Sequence, residues 1–187
     1  AAIIMVDNDD NRLEVAKKFG ATLVLHNDLG NAAEKIMAAT NNRGVDVAVE
    51  AIGIPSSFDI CQEIVTAGGH IANVGVHGKP VQLNLEKLWS QNITLTTALV
   101  DTVTTPLLLK TAISGKLPLN HLITHHFMLD QIMQAYDTFE NAMQEQALKV
   151  IITNGVMFNE PMRASDSFGN IILEGQSLKE QLAANDS

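Results

Sequence analysis

Of the 187 residues, 46% are hydrophobic and 18% charged, and 12 Lys and Arg against 21 Asp and Glu leave a formal net charge of −9. This is the composition of a folded globular chain, and its negative surface repels phosphate, which argues against nucleic acid or anionic membrane as a partner. A single cysteine, Cys61, excludes an intrachain disulfide and a multi-cysteine zinc site. No apolar run reaches the ~18 residues of a membrane helix, and no basic leader opens the chain, so a cytoplasmic location is expected.

The period of the apolar residues alternates along the chain. Residues 3–6 read as a buried strand. "NRLEVAKKFGA" then sets Leu13, Val15, Ala16 and Phe19 on one helical face and stops at Gly20. A short strand at 22–25 is followed by helical "NAAEKIMAATNNRG", with Asn31 as the expected cap and Gly44 as the stop. Residues 45–50 form the next strand, "PSSFDICQEIVTAGG" a helix with Pro55 near its start, and Gly68-Gly69 a turn into a strand at 70–74. Cys61 falls in that helix as a small buried hydrophobe. A strand at 92–100 closes the series. Strands alternating with helices, and apolar on both faces, predict a parallel sheet covered on each side.

The remainder is less regular. A helix at 105–115 carries Pro106 at its start, and a strand at 122–127, an amphipathic helix at 129–143 and a strand at 147–153 follow. Beyond Asn154, "NGVMFNEPMRASDSFGN" is turn-rich and reads as a linker, ahead of apolar "IILEG" and a helical "SLKEQLAAN".

Asp7 ends the first strand, at the edge where open α/β sheets bind ligands. An acid there accepts both ribose hydroxyls of an adenine nucleotide and repels the extra phosphate of NADP; a solvated loop acid or a helix cap suits the position equally. Asp7, Asp9 and Asn11 imitate the first calcium-loop ligands, but Arg12 replaces the required Gly and Lys18 the closing Glu. Arg12 is placed to flank an adenosine or to serve as a plain surface cation. "EAIG" at 50–53 and "NVGVHG" at 73–78 put Gly53 and Gly75 at two further strand ends, where glycine permits a flat ring or ribose to approach, or simply a tight turn. His121, His125 and His126 lie together, yet the last two alternate faces on a strand, which is poor geometry for a shared metal. No residue set reads as a catalytic nucleophile or as a metal site.

Five stretches, "MVDNDDNRLEVAKKFGAT", "RGVDVAVEAIG", "AGGHIANVGVHGKP", "LWSQNITLTTALVDT" and "ALKVIIT", occur in this order over residues 1–153. Together they closely resemble the C-terminal half of the zinc-dependent medium-chain alcohol dehydrogenases. The resemblance implies Asp7 and Arg12 around the adenosine ribose, Ile52 and Gly53 near the adenosine, and Val74 and Gly75 beside the nicotinamide. It further implies backbone groups of Ala98, Leu99 and Val100 on the carboxamide and Lys149 near the pyrophosphate, with NAD as the cofactor.

In that family the first strand, with its G-x-G-x-x-G turn, and the domain holding the catalytic zinc come before the segment matched here. The resemblance therefore implies an α/β fold with an incomplete Rossmann-type doubly wound parallel sheet lacking its first strand, split into two pieces with facing open edges. Residues 1–120 would form the truncated dinucleotide-binding domain, 121–153 a segment that returns to the catalytic domain, and 154–187 an atypical tail. The tail is a candidate to fill the gap, or else a foreign appendage. The expected function is that of a fragment of an NAD-dependent alcohol dehydrogenase, with weak or no NAD binding, inactive alone and self-associating through the edge strand 92–100. Two other readings are a non-catalytic oligomerisation fragment and a receiver-like signalling module, whose phosphoacceptor position would fall on Glu50.

Overall fold

The computed structural model describes residues 1–98 and 102–154. The chain divides into two compact units between residues 101 and 102, so residues 102–120, grouped by the sequence reading with the first domain, cluster with the second unit.

The first unit runs β1 (Ile4–Asp7), α1 (Asp10–Lys18), β2 (Leu23–His26), α2 (Ala32–Ala39), β3 (Val45–Glu50), α3 (Pro55–Ile64), β4 (Val65–Asn73), α4 (Leu85–Leu88) and β5 (Thr94–Thr97). Every strand pair is parallel, in two separate pieces ordered β1-β2 and β3-β4-β5. One core unites them. Ile36 of α2, Phe58, Cys61 and Ile64 of α3, Ala48 of β3 and Ile71 of β4 are buried together, with Ile4, Val6 and Leu25 of the smaller sheet packed against them. Ile36 and Ile71 are almost wholly excluded from solvent, and truncating either to Ala should cost about 2–5 kcal/mol.

Local chemistry explains the element ends. The Asp9 side chain accepts from the backbone N–H of Asn11 and Arg12 to open α1, while Lys17 and Lys18 complement its C-terminal dipole. At α2 the expected cap moves: Asn31 makes no capping bond, and Asn27 Oδ1 instead accepts from Ala32 N at 3.0 Å. The helix expected over 55–69 ends at Ile64, and β4 begins in the next residue. Gly68 and Gly69 lie inside that strand rather than in a turn before it. There the β3-β4 register jumps from Val45↔Val65 to Val47↔His70, a bulge that Gly68 enters with φ +75°.

Helices cover the sheet unevenly: α1 packs against β1 and β2, whereas one face of β3 stays open. Along β3, Ala48 and Glu50 are buried while Val47 and Val49 are 53% and 59% exposed, and Met5 of β1 is likewise exposed. The buried positions face α2 and α3. Among the described residues β1 pairs only with β2, and β3 only with β4, so each keeps one open edge.

The second unit contains α5 (Thr105–Ile113), β6 (Ile123–Met128), α6 (Ile132–Glu140), α7 (Ala142–Glu145) and β7 (Lys149–Thr153), with β6 and β7 parallel. The single helix read over 129–143 is broken: a 3₁₀ turn at Leu129–Gln131 precedes α6, and Asn141 separates α6 from α7. Met133, Tyr136, Phe139 and Met143 are all exposed along one stripe of these helices. The linker-and-tail reading falls on residues 155–187, outside the described residues.

Candidate functional site

Polar side chains and close-packed glycines lie at the C-terminal ends of β1, β3 and β4. At β1 the Asp7 carboxylate is held by its own loop: Oδ1 accepts from Asn8 N at 2.8 Å and from Asp9 N at 3.0 Å. Its Oδ2 faces the Arg12 guanidinium at 3.8 Å, beyond direct hydrogen-bond range, and so keeps accepting capacity. Arg12 also lies 3.5 Å from the buried Asp9 carboxylate. Two acids around one base leave this corner net negative. The fold thus brings Asp7 and Arg12 together.

At β3 the chain ends on Glu50, whose side chain is fully excluded from solvent. Its Oε1 accepts from Ile52 N at 2.9 Å, Gly53 N at 2.8 Å and Ser57 Oγ at 2.6 Å. Its Oε2 makes no hydrogen bond, although His77 Nε2 lies 3.3 Å away. That nitrogen also meets Asn73 Oδ1 at 2.7 Å. An amide oxygen can only accept, so Nε2 carries the proton. Burial is the largest influence on Glu50 and pushes its carboxyl upward. The bonds from Ser57, Gly53 and Ile52, with the ring of His77, more than offset this and hold it below the ordinary 4.5. Cys61, buried nearby, is pushed up to about 11 by desolvation and then by the Glu50 charge, which suits an inert core thiol.

The two glycine loops interlock above this carboxylate. Glu50 O accepts from Val74 N at 2.8 Å and from Gly75 N at 3.1 Å. A Cβ on Gly53 would run into the Val76 backbone, and one on Gly75 into Glu50 Oε2 and Gly53 N. Both glycines are therefore required by packing of the chain on itself. The side chains offered outward are Ile52, Val74 and Val76, at 60%, 57% and 84% exposure, an apolar rim on a rigid base.

The fold brings Ile52, Gly53, Val74 and Gly75 together in these two loops. Ala98 follows β5 and is exposed; Leu99 and Val100 lie outside the described residues. Lys149 opens β7 in the second unit and is exposed. Sequence reasoning missed the roles of Glu50, Ser57, Asn73 and His77. An acid closing the apolar run "VDVAVE" was the available signal, but only the fold shows that it points inward. The same burial denies a phosphoryl donor access to Glu50 and removes the support for a receiver module. His125 and His126 do alternate, inward and outward, along β6. No group of three or more His, Cys, Asp or Glu able to hold a metal forms among the described residues, and none of their helices is long and apolar enough to cross a membrane.

The profile of the zinc-binding dehydrogenases matches residues 1–113. An alcohol dehydrogenase of Cupriavidus necator is 32% identical over 157 residues, covering 80% of this chain and 42% of that protein. A sorbitol dehydrogenase of Bacillus subtilis is 33% identical over 153 residues, with the same coverage. The solved apo structure of zinc dependent alcohol dehydrogenase 2 from Streptococcus pneumonia is 50% identical, with a TM-score of 0.78 over 84% of this chain and 46% of that one. The chain spans less than half the length of these relatives.

Proposed function

We propose, for a chain that belongs to the zinc-binding dehydrogenase family, that residues 1–98 supply the adenosine side and part of the nicotinamide side of an NAD site. The observation that carries this reading is the Asp7 carboxylate, tethered by its loop at the end of a parallel strand with Oδ2 still able to accept. Asp7 would receive the ribose hydroxyls, with Arg12 beside them. Ile52 and Gly53 would lie along the adenosine, and Val74 and Gly75 beside the nicotinamide. Ala98, which follows β5, would lie toward the carboxamide in the same reading.

NAD, when bound, supplies the hydride acceptor for oxidation of an alcohol to an aldehyde or ketone. The described residues do not fit the family's zinc, since no cluster of ligands forms among them, and no hydride step is assigned to this chain, which by itself is expected not to turn over alcohol. Two of the named relatives are alcohol dehydrogenases and one a sorbitol dehydrogenase, so the proposed substrate class is an alcohol. A cytoplasmic location is part of the proposal, consistent with a lone, buried, free cysteine.

The test is calorimetric titration of the full chain with NAD. Saturable binding that weakens at least tenfold in Asp7→Ala supports the reading, whereas binding indifferent to Asp7 refutes it. A second proposal concerns self-association. All four residues of β5, Thr94–Thr97, are exposed, and β5 pairs only with β4 among the described residues, leaving an edge on which a second copy can add its own strand. A concentration-independent monomer in sedimentation would exclude it.

A further inference from the structure

Glu50 is a buried acid that holds its charge while sitting directly behind the outward rim. Three donors saturate Oε1, but Oε2 has no hydrogen bond. Oε2 occupies the space where any residue other than glycine at position 75 would place its Cβ. The titratable groups around it are His77, which the Asn73 contact marks as carrying its proton on the nitrogen nearest Oε2, and the thiol of Cys61. The thiol carries no opposing charge, and His77 Nε2 makes no hydrogen bond to Oε2.

We propose that Glu50 sets a fixed negative charge behind the Val74–Gly75 backbone, so that this rim favours a flat cationic ring, an oxidised N-substituted pyridinium, over the neutral dihydropyridine. The inference rests on the reading of this rim as the nicotinamide side of an NAD site. A carboxylate shielded from water attracts a cation through the intervening backbone far more strongly than one in solvent, and it discriminates between two ligands of the same shape that differ by one charge. Glu50 acts here through the loop it holds and is a positioning residue. Its charge, and not only its hydrogen bonds, carries the effect.

The full chain is titrated separately with NAD and with NADH, as wild type and as Glu50→Gln, which keeps the shape and an acceptor oxygen. The expected result is an NAD Kd raised about 3- to 10-fold with the NADH Kd changed less than about twofold, the size of effect one partly shielded charge produces. A purely structural role would weaken both ligands equally, and that outcome overturns the proposal. Should Glu50→Gln fail to fold by near-ultraviolet circular dichroism, His77→Lys sets a fixed cation against the same carboxylate and is expected to lower the NAD preference likewise; an unchanged ratio overturns the proposal. If the wild-type chain binds neither dinucleotide, the NAD reading fails on its own account. The rim charge is then tested with 1-methylnicotinamide by amide chemical shifts at Gly53 and Gly75. Shifts present in the wild type and lost in Glu50→Gln uphold it, and equal or absent shifts in the two proteins refute it.

Discussion

Gly75 stands over Glu50 so closely that the carboxylate oxygen Oε2 fills the place of a side chain at position 75. The opposed Gly53 is pressed against the Val76 backbone in the same way and holds φ at +88°. Two loops that present apolar side chains outward are therefore locked from behind.

Substitution at these glycines should separate packing from conformation. Gly75→Ala is expected to destabilise the fold by about 1–3 kcal/mol through overpacking against an unyielding carboxylate and backbone. Gly53→Ala adds about 1–2 kcal/mol for its left-handed backbone. Gly78, with nothing within 4 Å of its Cβ position, should accept Ala within about 0.5 kcal/mol. Urea unfolding of the three variants checks the order.

The cap of α2 gives a second contrast. Because Asn27 and not Asn31 holds Ala32 N, Asn27→Ala should cost about 0.5–2 kcal/mol. Asn31→Ala should cost less, since the Asn31 side chain makes no capping bond; its buried Oδ1 has no hydrogen-bond partner in the fold. Equal losses in thermal unfolding would contradict the assignment.

Stability should fall at both ends of the pH scale for different reasons. The Glu50 carboxyl is held below its ordinary 4.5 in the fold, so its contribution is complete above that value and is lost as pH falls through the lower folded value. Ser57→Ala removes the strongest of its stabilising hydrogen bonds and should raise the pH of acid unfolding. Cys61 is raised from 9.0 to about 11, so the unfolded chain releases a proton that the folded chain keeps, and stability declines between those values. At pH 8 the folded thiol should react with Ellman's reagent only as fast as the chain opens, a rate that rises with urea.

Cofactor choice at Asp7 is the fourth expectation. The acid pair around Arg12 leaves the corner negative, so Asp7→Ser should weaken NAD and strengthen NADP, narrowing their ratio at least tenfold in competitive titration. An unchanged ratio would move the ribose elsewhere.

Much of this fold was legible because apolar period and turn chemistry are local. "VDVAVE" is a strand whatever surrounds it, and Pro55 opens a helix in any context. The misjudged boundary at Ile64 had a different cause. "IVTAGG" suits a helix end or a strand start, and pairing of Val65 with Val45 settles the matter from 20 residues away. Asn27 displaces Asn31 for a similar reason, since a five-residue reach depends on how the loop folds back.

Period and turn residues were enough to determine a parallel α/β chain, and five stretches occurring in order carried its resemblance to the zinc-binding dehydrogenase family, to which it belongs. Which way Glu50 points, why positions 53 and 75 must be glycine, and that Val47 and Val49 face solvent were decided only by tertiary structure. Burial and close approach belong to pairs of residues distant along the chain, and no local pattern encodes the space between two loops.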